Sequence, residues 1–301
     1  MLSKANKTKF GTILAVLAAG AFFTITGHSV SKTTPPVKSA AATPVQVKSP
    51  DSKVLPAANP ADTASANATP IPSPTKAEQQ AIAAKSDLND YVLKVIHSYD
   101  GDKFPYLLND DYQHYNGVTQ NIVYKGSIIA KANPNGSRSS HCVGLTYEVF
   151  FKAIVARNIE AGLSPDNINN MTIDNMRDFM LIWYNALGTP KSEGDQLAGA
   201  IVKYGLGTRI ARFEDAKAGD FIDFSRSQSG HTVVFINWLR DKPGNIVGFK
   251  YWSTQESTGG ISYKNEYFSD NPQGAYKGAV NRQQMYIGRV GSIGNYRRFK
   301  V

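Results

Sequence analysis

AGDFIDFSRSQSGHTVVFINWL, residues 218–239, is where the chain changes its period. A Gly-Asp turn at Gly219-Asp220 opens a short strand over 221–224, a polar turn follows, and His231 heads a second strand, TVVFINWL. Asp241-Lys242-Pro243-Gly244-Asn245 then turns into a third, IVGFKYWSTQ, and 260–263 and 285–289 read as further strands. Upstream the period is helical: in VGLTYEVFFKAIVARNIEAGL, residues 143–163, Leu145, Val149, Phe150, Ile154 and Val155 form one stripe. Shorter helices are predicted over 172–187 and 192–204, the second opened by Ser192 and Asp195 in the spacing of a capping box. A helix is also expected from Pro74-Thr75 to about Tyr99, and QNIVYKGSIIAKA around Gly126 predicts a hairpin. Helices followed by an antiparallel meander define the α+β class, with helices on one face of the sheet.

The first hundred residues read differently. Lys4, Lys7 and Lys9 precede an apolar run, TILAVLAAGAFFTITG, without any acidic residue. That is the layout of an export signal, and the run is shorter than the roughly 20 residues of a membrane span. No A-x-A cleavage site follows, so 1–29 is expected to be either a cleaved signal peptide or a retained membrane tether. Residues 30–76 are Pro, Ala, Ser, Thr and Lys with almost no aromatic, a composition that cannot offset its ordering entropy. This stretch is expected to be a disordered linker, and 77–301 the folded domain. The expected location is therefore exported: periplasmic, in the cell envelope or extracellular.

Composition narrows the chemistry. The 301 residues carry 33 Lys and Arg against 24 Asp and Glu, a net +9, of which residues 1–81 hold +5. The folded part is only mildly basic and has no Lys/Arg stripe interleaved with aromatics, which argues against nucleic acid as a partner. One cysteine, Cys142, excludes an intrachain disulfide and a Cys-rich zinc site. Asn109-Asp110-Asp111 fails as an EF-hand loop, because His114 and Gln120 fall where Gly and Glu are needed. No metal and no cofactor is expected.

Cys142 sits where a Gly/Ser/Asn loop becomes a helix, a setting whose amides lower a thiol pKa and can bind an oxyanion. His231 heads a rigid strand, and the next strand ends in Ser253-Thr254-Gln255-Glu256, polar residues able to orient an imidazole. A nucleophile, a base and an orienting group are the parts covalent acyl transfer needs. A second constellation, FPYLLNDDYQHYNGVTQNIVYKG, gathers Tyr106, Tyr112, Tyr115 and Tyr124 with His114 and Asn116. It reads as a groove wall for a sugar or peptide, or as an aromatic loop packed on the domain.

SSHCVGLTYEVF resembles the nucleophile helix of the NlpC-like and CHAP cysteine hydrolases, papain-like enzymes of bacterial cell walls. AGDFIDFSRSQSGHTVVFI resembles their second signature. The likeness covers roughly residues 139–255, with Cys142 and His231 89 residues apart. It implies a papain-like α+β fold, with the nucleophile helix packed on an antiparallel sheet. It further implies Cys142 as nucleophile, His231 as general base and Gln255 as the third polar residue, with Ser253 on the same strand face. Many members have Asp before the cysteine; here His141 stands there, and it is expected to shape the substrate site, with Tyr115, Asn116 and Ser253 as the other expected substrate-binding residues. The implied activity is thiol-dependent hydrolysis of amide bonds, with peptidoglycan or another envelope polymer as partner. The competing expectation is an inert glycan- or wall-binding module on the same fold.

Overall fold

The computed structural model describes residues 74–102, 104–108, 111–186, 196–227, 229–272 and 274–300. The signal-like segment 1–29, the linker as far as residue 73, and Ser192 with Asp195 lie outside the described residues.

The expected helix from Pro74 to Tyr99 is two helices. Thr75 caps α1 (Lys76–Lys85), with Glu78 closing the capping box, a device worth about 1 kcal/mol. α2 (Asn89–His97) follows after a break at Ser86. Tertiary contacts hold that break open. Ser86 is extended, its carbonyl accepts from the buried Arg157 guanidinium at 3.3 Å, and the Leu88 amide donates to Val290 at 3.0 Å.

β1 (Ile122–Tyr124) and β2 (Ser127–Ala130) form the expected hairpin, its two-residue turn made by Lys125 and Gly126 at φ 47° and 76°. α3 (Cys142–Glu160) is the central helix. Leu145, Val149, Phe150 and Ile154 are fully buried, each such side chain contributing roughly 1.5–3 kcal/mol on burial. Within it Glu148 is also fully buried, and its carboxylate accepts from the Thr119 amide and hydroxyl, the Tyr99 hydroxyl and the Lys152 ammonium at 2.6–2.8 Å. This buried carboxylate fastens the 116–119 loop to the helix. α4 (Ile173–Trp183) starts at the capping residue Thr172, and α5 is Gln196–Lys203.

The sheet has six strands: β3 (Gly207–Ile210), β4 (Phe221–Arg226), β5 (Gly230–Arg240), β6 (Ile246–Gln255), β7 (Gly260–Tyr267) and β8 (Val280–Val290). Every pairing is antiparallel and the order is β3-β8-β4-β5-β6-β7. β4 to β7 form the expected meander, and β8 returns to the free side of β4. The short β3, flanking β8, is absent from the sequence reading. The fold is α+β with an antiparallel sheet.

Both faces of the sheet are covered. Phe221, Val234, Trp252 and Val290 join the main core beneath the helices, with Leu145, Phe150 and Trp183. Ile222, Phe224, Val233, Phe235, Phe249 and Tyr251 form a second core on the other face, closed by Phe213, Trp238 and Phe268. This division decides which side chains can meet at a site.

Candidate functional site

A cleft of about 900 Å³ lies between the 111–116 loop, the end of β2 and the C-terminal half of α4. Its walls carry Tyr112 and Tyr184, its polar lining Gln113, Asn116, Lys131 and Arg177. Arg177, Met180, Leu181 and Tyr184 reach it together because they share one helical face. Asn185 follows in the left-handed region at φ 54°, and its side-chain oxygen is buried without a hydrogen-bond partner.

The loop wall is fixed from within. The Asn116 amide donates to the Tyr112 carbonyl at 2.8 Å and its oxygen accepts from the Lys131 amide at 2.8 Å. The Tyr184 hydroxyl donates to the Asn116 carbonyl at 2.7 Å, tying α4 to the loop. His114 and Asp111 make an exposed pair at 2.8 Å. Of the residues read from sequence as a groove wall, Tyr112, His114 and Asn116 line the cleft. Tyr115 is buried behind it, donating to the Leu107 carbonyl, and Tyr124 is buried against Met171.

His141 lies under the cleft. It is the N-cap of α3: its Nδ1 accepts from the Gly144 amide at 3.3 Å, so Nε2 carries the hydrogen. The ring stands edge-on to Tyr112, Tyr115 and Tyr184 at 6.1, 5.8 and 6.0 Å. Burial lowers its pKa to about 4, which keeps it neutral. A general-base role for His141 is therefore ruled out by its geometry, since its basic nitrogen is occupied by the helix.

Cys142 and His231 are not brought together. Thr232 faces α3, opposite Asp223 in register, and its amide and hydroxyl stand near the Cys142 sulfur. Because strand side chains alternate, His231 points to the other face. There it packs edge-on against Phe224 at 5.7 Å and Tyr251 at 5.6 Å, within the second core, and its Nε2 has no partner. Burial, with the nearby Arg226 and Lys264 charges, lowers its pKa to about 3. The expected nucleophile–base pair is corrected accordingly.

The expected thiolate is corrected as well. Cys142 is partly exposed as a residue, yet burial of its sulfur end pushes the thiol pKa up. The amides of Thr232 and Val143 pull it down, the Asp223 carboxylate adds to the rise, and desolvation wins. Gln255 shares the face of His231, but its side-chain oxygen accepts from the Tyr251 hydroxyl at 2.8 Å and its amide donates to Ser257. The Ser253 hydroxyl donates to the Thr232 carbonyl at 2.8 Å, bracing β6 on β5. Among the described residues no group of three or more His, Cys, Asp or Glu is placed to hold a metal ion.

Sequence reading missed Arg177, Tyr184 and Asn185. The signal available was an Arg, an apolar pair and a Tyr at helical spacing in 177–184. Comparisons with protein-family models, with curated proteins and with solved structures find no match to this chain.

Proposed function

We propose that the folded domain is a glycan-binding module of the cell envelope, without hydrolytic activity of its own, carried out of the cell by its N-terminal segment. The cleft between Tyr112 and Tyr184 carries this reading. Its volume of about 900 Å³ lies within the about 300–1,000 Å³ of ligand sites. Two aromatic rings among Asn, Gln, Arg and Lys side chains suit a ligand with apolar ring faces and hydroxyl edges. Peptidoglycan is the candidate partner, reached from a membrane tether or after secretion across a Pro/Ala/Thr linker. The frame is read as papain-like, of the NlpC/CHAP type; support comes from a cysteine-headed helix lying across an antiparallel sheet.

Sedimentation with insoluble peptidoglycan sacculi tests the proposal. Tyr112→Ala is expected to weaken binding about tenfold, about 1.4 kcal/mol. Equal binding by wild type and Tyr112→Ala ends it.

A second reading, a cysteine amide hydrolase with Cys142 as nucleophile, has one observation in its favour. At the head of α3, the amides of Val143 and Thr232 stand near the sulfur. It needs a base other than His231. Zymography against peptidoglycan decides it: clearing by wild type that Cys142→Ala abolishes establishes hydrolysis.

A further inference from the structure

We propose that His141 is the positioning residue of the cleft. Its imidazole ring sets the Tyr112 and Tyr184 walls at their spacing, beyond its work as a helix cap. The inference rests on the glycan-binding reading and names the residue that shapes that site.

Capping alone does not call for a histidine. Ser, Thr, Asp and Asn perform it with a small side chain. The imidazole brings a cost that capping does not repay: His141 is 1% exposed and its Nε2–H is buried without a partner. The surroundings are cut to admit the ring. A Cβ on Gly117 would lie 2.1 Å from Nε2, and the His141 amide donates to the Gly117 carbonyl at 3.2 Å.

What the ring does meet is two residues of the cleft lining, Tyr112 and Tyr184. Two of its three aromatic neighbours, Tyr112 and Tyr184, are cleft walls from opposite sides, one on the loop and one at the end of α4. Tyr115 backs the loop from the third side. The imidazole is thus a common support between two elements that the hydrogen bond from Tyr184 to the Asn116 carbonyl also joins. Taking it away removes a packing partner shared by both rings, and the cleft changes its width.

Two substitutions separate the cap from the ring. His141→Asn keeps a capping oxygen and removes the ring; His141→Phe keeps a ring and removes the cap. The measurements are sedimentation with peptidoglycan sacculi and the thermal midpoint, on the full chain. His141→Asn is expected to bind at least tenfold more weakly than wild type. His141→Phe is expected to bind within about threefold of wild type while melting below His141→Asn. Binding by His141→Asn within twofold of wild type overturns the inference, as does binding that falls in step with melting in both variants. If His141→Phe does not fold, the His141→Asn result decides alone. Should wild type and Tyr112→Ala sediment equally, the glycan-binding reading fails and this inference with it. A tenfold gap between those two beside an unaffected His141→Asn removes only the role of His141.

Discussion

Acidifying the protein from about pH 7.5 to about pH 5 is expected to remove about 4 kcal/mol of its folding stability, over an interval most of which lies above the range where carboxylates titrate. The source is two buried, neutral histidines on opposite faces of the sheet. His141 has its pKa lowered from 6.5 to about 4 and His231 from 6.5 to about 3, each chiefly by burial. The unfolded chain takes up these protons near pH 6.5 and the folded chain does not. Stability is therefore present in full above pH 6.5 and is lost as the pH falls toward the folded values. At about pH 5 each histidine accounts for about 2 kcal/mol, and the total per group, at about 1.4 kcal/mol per pKa unit, is about 3.5 for His141 and about 5 for His231. Urea unfolding followed by tryptophan fluorescence measures the loss. His231→Leu removes one of the two groups, so its drop over the same interval is expected to be about half as large. A stability flat between about pH 7.5 and pH 5, or a His231→Leu variant with the full wild-type loss, refutes the reasoning.

The other expectations rest on single contacts. Glu148→Ala leaves the Thr119 amide, two hydroxyls and the Lys152 ammonium without their shared buried acceptor, and is expected to cost about 3–5 kcal/mol by urea unfolding. Gly117→Ala places a Cβ against His141 at a backbone φ of 73°, and is expected to cost at least about 2 kcal/mol and to lower the melting midpoint. Cys142 is expected to react with iodoacetamide more slowly than a free thiol at neutral pH, the rate rising steadily into alkaline solution. A plateau of fast alkylation near neutrality would reveal a thiolate and contradict the burial argument.

Much of the fold was legible because its elements carry strong periodicity and punctuation. The 246–255 strand, the Lys125-Gly126 hairpin and the helix from Cys142 read directly from alternation, a turn pair and an apolar stripe. The break at Ser86 was not legible, since it is imposed by Arg157 and Val290, far away in sequence. β3 has four residues, too few for a periodic signal. The facing of His231 was hidden for a more general reason. In 231–236 both alternating sets, Val233 with Phe235 and Val234 with Ile236, are apolar, because both faces of that strand are covered. Alternation fixes which residues go together and cannot say which set meets Cys142; a shift of one residue exchanges Thr232 for His231. The cleft was half legible. Its loop wall stands out as a Tyr-rich segment, whereas its α4 wall is assembled by the tertiary fold.

The most direct test of the account incubates peptidoglycan sacculi in parallel with wild type, Tyr112→Ala and Cys142→Ala, and measures both the protein sedimented and the muropeptides released. The account predicts that Cys142→Ala sediments like wild type, that Tyr112→Ala binds about tenfold more weakly, and that no fragment is released by any of the three. Release of muropeptides by wild type but not by Cys142→Ala would contradict it.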